Sequence, residues 1–113
     1  MLVTLNSIAM DEYEEILLLY GDVKLDPGTR KLFIKNSRIK LRNKEFSLLE
    51  YFMKNCGRVL SRTRLLEEVW DRNITCPTNR VDVHVSSLRQ KLKRSLSFDP
   101  IKTVHCIGYF FGE

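Results

Sequence analysis

The chain has 113 residues, 43% of them apolar, which suits one domain with its own buried core and requires neither disulfides nor a structural metal. No apolar run approaches the roughly 18 residues of a membrane span, and the N-terminus lacks the basic-then-apolar order of a signal peptide. The net charge of +5 is uneven: residues 1–20 hold Asp11, Glu12, Glu14 and Glu15 and no Lys or Arg, so all 19 basic residues fall in the remainder, against 10 acids. A basic body of this kind favours a polyanionic partner.

Residues 1–15 read as a linker or N-terminal extension, with Leu2, Val3 and Leu5 as a candidate extra strand, and 16–113 as the domain proper. From Ile16 to Leu41 the signals are those of strands. Ile16–Leu19 is a short apolar run broken at Gly21-Asp22, Val23 and Leu25 alternate with Lys24, and Leu32-Phe33-Ile34 follows. Asp26-Pro27-Gly28 predicts one turn, with Gly28 taking positive φ, and Asn36-Ser37 a second. The pattern is an antiparallel meander of three or four strands.

Near Lys44 the apolar period changes from two to 3.6. Phe46, Leu49, Phe52 and Met53 share one face of a helix over about 44–55, with Asn43 as its N-cap and Gly57 as its stop. Arg58-Val59-Leu60 is long enough for one strand rung. Ser61 caps a second helix over about 62–70, whose face is Leu65, Leu66, Val69 and Trp70. Asp71–Pro77 is a loop, and Thr78 caps a third helix over about 78–94. Here two periods conflict. Val81-Asp82-Val83-His84-Val85 alternates like a strand, whereas Val81, Val85, Leu88 and Leu92 form a helical stripe. The longer pattern decides for helix, because strand character vanishes beyond Leu88. Ile101–Val104 and Tyr109–Phe111 close the chain as a hairpin.

With that stripe in the core, the third helix turns Asn79, Val83, Ser86, Ser87, Gln90 and Arg94 outward, flanked by Arg80, His84 and Lys91. Asn and Gln can pair with adenine edges, Arg with guanine, and Val can touch a thymine methyl. Lys91, Lys93 and Arg94 can neutralise phosphates. The hairpin's turn, His105-Cys106-Ile107-Gly108, offers His105 as a further contact. A solvated basic face on an ordinary amphipathic helix gives the same pattern, so periodicity alone leaves both readings open. Cys56, Cys76 and Cys106 are odd in number and widely spaced, which argues against a zinc or dithiol site and fits reduced thiols in a cytoplasmic protein. No P-loop, GxGxxG or GxSxG is present, so neither catalysis nor a cofactor is expected.

Several stretches resemble one family in order and without large gaps, over about Tyr20 to Phe111. Leu41-Arg42-Asn43-Lys44-Glu45-Phe46-Ser47-Leu48-Leu49-Glu50 is similar to its first helix, and Gly57-Arg58-Val59-Leu60-Ser61-Arg62 to the following strand and cap. Leu65–Trp70 resembles its second helix, Thr78–Leu92 its recognition helix, and Ile101–Val104 with Gly108-Tyr109 its wing. The family is the OmpR/PhoB-type effector domain of two-component response regulators. The resemblance implies an α+β winged helix-turn-helix: an N-terminal antiparallel β-sheet of four strands, three helices and a C-terminal β-hairpin wing. It implies sequence-specific binding of double-stranded DNA, with the third helix in the major groove. It further implies contact of the loop Asp71, Arg72, Asn73, Ile74 and Thr75 with RNA polymerase, and homodimers on tandem half-sites. The sequence departs from the family where Ser86 and Ser87 replace a frequent basic residue, where His105-Cys106 replaces Arg-Gly, and where Phe110 replaces a basic residue. These departures favour one alternative, a protein-interaction module of the same fold with weak or lost DNA binding. The family's receiver domain is not in this sequence, so the chain reads as an excised output domain or a standalone regulator.

Overall fold

The computed structural model describes residues 2–5, 15–70 and 77–112. Strands β1 (Leu2–Leu5), β2 (Glu15–Tyr20), β3 (Val23–Asp26), β4 (Lys31–Ile34) and β5 (Ser37–Ile39) form an antiparallel meander in chain order. Helix α1 (Asn43–Lys54), strand β6 (Val59–Ser61) and helices α2 (Arg62–Val69) and α3 (Asn79–Leu96) follow. The closing hairpin β7 (Ile101–Val104) and β8 (Gly108–Phe111) joins β6 in a second sheet of order β6-β8-β7. The expected order of sheet, three helices and hairpin holds. The first sheet has five strands instead of four, because Leu2–Leu5 pairs with β2, Leu2 opposite Leu18. The expected loop contact Asp71–Thr75 lies outside the described residues.

Alternation puts Leu18, Val23, Leu25, Leu32 and Ile34 on the sheet's inner face. They pack against Phe46, Leu49, Phe52 and Met53 of α1, with Leu65 and Val69 of α2, the stripe Val81, Val85, Leu88, Leu92 and Leu96 of α3, and Ile101 and Phe111 of the hairpin. At about 25 cal/mol per Å² of apolar surface, such a core supplies the main driving force for folding. Val81–Val85 is helical: Val81 and Val85 are buried while Val83 between them is 65% exposed.

Turn chemistry differs from expectation at three points. Gly28 does not take positive φ. The Asp26 carboxylate accepts the Gly28 amide at 3.0 Å, and Arg30 takes the left-handed position with φ 55°. The second turn is centred on Lys35 and Asn36, both left-handed, a geometry whose twist matches that of the flanking strands. The N-cap of α1 is Arg42, one residue before the expected Asn43; its amide donates to the Glu45 carboxylate at 3.0 Å. Asn43 opens the helix, and its side-chain oxygen accepts from Arg30 at 2.7 Å. Ser61 caps α2 as expected, accepting the Arg64 amide at 3.1 Å. Thr78 holds the N-cap position of α3 without a side-chain cap bond.

Candidate nucleic-acid interface

The outer face of α3 is a stripe opposite its apolar one. Asn79, Arg80, Val83, Ser86, Gln90 and Arg94 are exposed, and Lys93 beside them is exposed too. Val83 lies at the centre of this polar stripe and is 65% exposed.

Three residues grouped with that face in the sequence turn to other partners. The imidazole of His84 meets Trp70 of α2 edge-on, with ring centres 5.1 Å apart, and its Nδ1 lies 2.9 Å from the Arg80 carbonyl. Trp70 also has the Lys44 ammonium 5.7 Å over its ring. Ser87 donates to Glu45 Oε2 at 2.5 Å, and Lys91 donates to Glu45 Oε1 at 2.6 Å. Glu45 itself is 1% exposed. Burial pushes its carboxyl upward, but Lys91, Ser87 and the Arg42 amide outweigh that and hold it below its ordinary value. The charge of Lys91 is therefore drawn inward to α1, whereas the cations Arg80, Lys93 and Arg94 of this helix are exposed and pair with no acid among the described residues.

A second carboxylate organises the opposite flank. Asp82 Oδ1 accepts the Tyr109 hydroxyl of β8 at 2.5 Å and Arg62 Nε of α2 at 2.8 Å. The Arg62 guanidinium also lies 5.4 Å over the Tyr109 ring. Burial acts to raise the Asp82 carboxyl, and the Tyr109 and Arg62 bonds lower it on balance. Burial and the neighbouring Asp82 both raise the Tyr109 phenol. Farther along, Arg89 bridges to Asp99 at 2.9 Å and donates to Thr103 of β7 at 2.7 Å, anchoring the same helix to the hairpin.

At the wing tip the Ile107 amide donates to the Val104 carbonyl at 3.0 Å, and Cys106 sits left-handed with φ 64°. His105, Cys106 and Ile107 are exposed. Gly108 starts β8 where a Cβ would fall 1.9 Å from the Leu60 carbonyl oxygen, so the wing can pack on β6 only with glycine there. Between the wing and the start of α2 lies a groove of about 470 Å³, lined by Arg58, Val59, Ser61, Arg64 and Ile107 among others. Arg58 and Arg64 are exposed there, and no periodicity or motif in the sequence marks them. Among the described residues there is no cluster of three metal-ligating side chains, and no helix is long and apolar enough to cross a membrane.

The family model described as "Transcriptional regulatory protein, C terminal" matches residues 36–111. The chain belongs to this family. Transcriptional regulatory protein QseB of Escherichia coli O157:H7 is 48% identical over 99 residues, covering 85% of this chain and 42% of QseB. The response regulator DrrB of Thermotoga maritima, an OmpR/PhoB homologue, superimposes with a TM-score of 0.74 at 32% identity, over 86% of this chain and 44% of DrrB. The DNA-binding domain of response regulator AdeR, in complex with an intercistronic region, superimposes with a TM-score of 0.77 at 25% identity, over 84% of this chain and 98% of that domain. The effector domain described here thus has the winged-helix architecture of the OmpR/PhoB type, and it spans less than half the length of the curated relatives it matches.

Proposed function

We propose that this effector domain regulates transcription by binding DNA, with the outer face of α3 in the major groove and the β7–β8 wing against the adjacent backbone or minor groove. The observation that carries the reading is the exposed stripe of Asn79, Arg80, Val83, Ser86 and Gln90, which combines the donors, acceptors and apolar contact that base edges require. Asn79, Arg80 and Val83 sit near the helix's N-terminal end, which enters the groove deepest in helix-turn-helix proteins. Arg94 and Lys93 hold phosphates along one edge; Arg58 and Arg64 hold them beside the wing, where His105 approaches the duplex. Phosphate contacts set position and affinity, and base contacts set sequence.

In this reading the domain is the output half of a two-component response regulator in the cytoplasm. The loop Asp71–Thr75 meets RNA polymerase, and two copies occupy tandem half-sites. Selection from a random-sequence duplex pool tests the core of it. The domain should enrich a defined motif, and affinity for that motif should fall with salt at a slope of about −3 to −4 on logarithmic axes, as expected for about four phosphate contacts. Failure to enrich any motif, or binding indifferent to salt, contradicts it.

A further inference from the structure

The two carboxylates beside α3 stand on opposite flanks of its outer face. At about 100° per residue, Asp82 and Lys91, the partner of Glu45, are separated by about 180° around the helix, and Val83, Ser86 and Gln90 occupy the arc between them. Asp82 is tied to β8 and the start of α2 through Tyr109 and Arg62. Glu45, in the first turn of α1, takes Ser87 and Lys91, which lie one turn apart on α3. The helix is thereby gripped from both sides and at two heights.

The apolar stripe sets the rotation coarsely, because burial is non-directional and hydrophobic cores can repack. A roll of about 20° moves a side-chain tip about 6 Å from the helix axis by about 2 Å. That displacement exceeds what a hydrogen bond to a base edge tolerates. The bonds on Asp82 and Glu45 are directional and would break under the same roll. A buried charge such as Glu45 is seldom the most stabilising choice for a core, and the best attested use of such groups is to specify one register among several.

We infer that Asp82 and Glu45 are positioning residues for base reading: through Tyr109, Arg62, Ser87 and Lys91 they set the rotation of α3, and with it the set of side chains presented to the bases. The inference rests on the DNA-binding reading above. Glu45 is 1% exposed and Tyr109 is 5% exposed, so neither can contact a duplex directly and their variants report on positioning.

The test uses the whole chain and two conservative variants, Tyr109→Phe and Glu45→Gln, at a temperature where circular dichroism finds each fully folded. Affinities for an enriched duplex and a scrambled one are measured at the same salt concentration. Each variant should lower the specific-to-nonspecific ratio about 3–10-fold, the equivalent of a fraction of one bidentate base contact, with the salt slope unchanged because phosphate contacts survive. Should Glu45→Gln not fold, Tyr109→Phe, which removes one buried hydroxyl, carries the same readout. A folded variant with the wild-type ratio overturns the inference and leaves DNA binding standing. A wild-type domain with no preference between the duplexes overturns the DNA reading and this inference with it.

Discussion

Ser86 and Ser87 are neighbours of one residue type on one helix, and the fold gives them opposite lives. Ser86 is exposed on the outer face of α3, while Ser87 is half-buried and spends its hydroxyl on Glu45. Lys91 and Lys93 divide in the same way: one ammonium is paired with a buried carboxylate, and the other projects into solvent. The outer face and the flank of α3 thus differ in what they answer to. The face is free to answer to a partner, whereas the flank answers to α1.

Removing the acid that defines the flank should have the largest effect. Glu45→Ala leaves the Lys91 ammonium without its partner, the Ser87 hydroxyl without its acceptor and the Arg42 amide without its cap. Hydrogen bonds to a charged group are worth about 1.5–3 kcal/mol each, and with three lost and the partly exposed Lys91 regaining water a cost of about 3–5 kcal/mol is expected. Chemical denaturation should show that loss, while Ser86→Ala on the face should stay within about 0.5 kcal/mol. Equal effects at the two sites would erase the distinction between face and flank.

The two lysines sharpen it. Lys91→Ala should destabilise by about 2–3 kcal/mol, since it strands the Glu45 charge, and should leave the salt slope of DNA binding as it was. Lys93→Ala should leave stability within about 0.5 kcal/mol and make the slope shallower by about one unit. Paired denaturation and salt titrations on the two variants check the exchange of roles.

Acid should act on the flank first. Glu45 and Asp82 both have folded-state values held below their ordinary values of 4.5 and 3.8. A lowered carboxylate contributes stability that is complete above its unfolded value and lost as pH falls through its folded value. Stability should therefore be flat above about pH 5.5 from these groups and decline steadily below about pH 4.5. In Glu45→Gln the decline should be shallower, and an unchanged acid limb would show that Glu45 is not its source.

The wing offers the smallest effect. Cys106 is left-handed, a conformation that costs a residue with a Cβ about 1–2 kcal/mol and costs glycine nothing, while glycine gives back part of that gain in unfolded-state entropy. Cys106→Gly should stabilise by about 0.5–1 kcal/mol, read as a rise in the thermal midpoint.

Much of this architecture was legible in the sequence. The shift of period near Lys44 marks the boundary between sheet and helices, and the long stripe Val81–Leu92 overrides the strand-like alternation of Val81–Val85 because periodicity is reliable over several turns. The outer residues Asn79, Val83 and Gln90 follow from that stripe by helical geometry alone. What the wheel cannot supply is the partner of a flank residue. Glu45 lies 42 residues from Ser87 and 46 from Lys91, and nothing local distinguishes Ser87 from Ser86 or Lys91 from Lys93. Turns were misread for a related reason. The Asp26 side chain closes its turn without help from a left-handed Gly28, and a basic residue, Arg30, adopts the left-handed position while its side chain binds α1 through Asn43 and Ser47.

If the exposed face of α3 reads bases, Arg80→Ala should show it. Arg80 is exposed near the N-terminal end of the helix, and a bidentate contact of arginine to guanine is worth about 1–3 kcal/mol of discrimination. Wild type and variant are compared on one enriched and one scrambled duplex at a single salt concentration. The specific-to-nonspecific ratio should fall by about 5–100-fold in the variant. If both affinities drop together and the ratio survives, Arg80 holds a phosphate, and base reading by this end of the helix is contradicted.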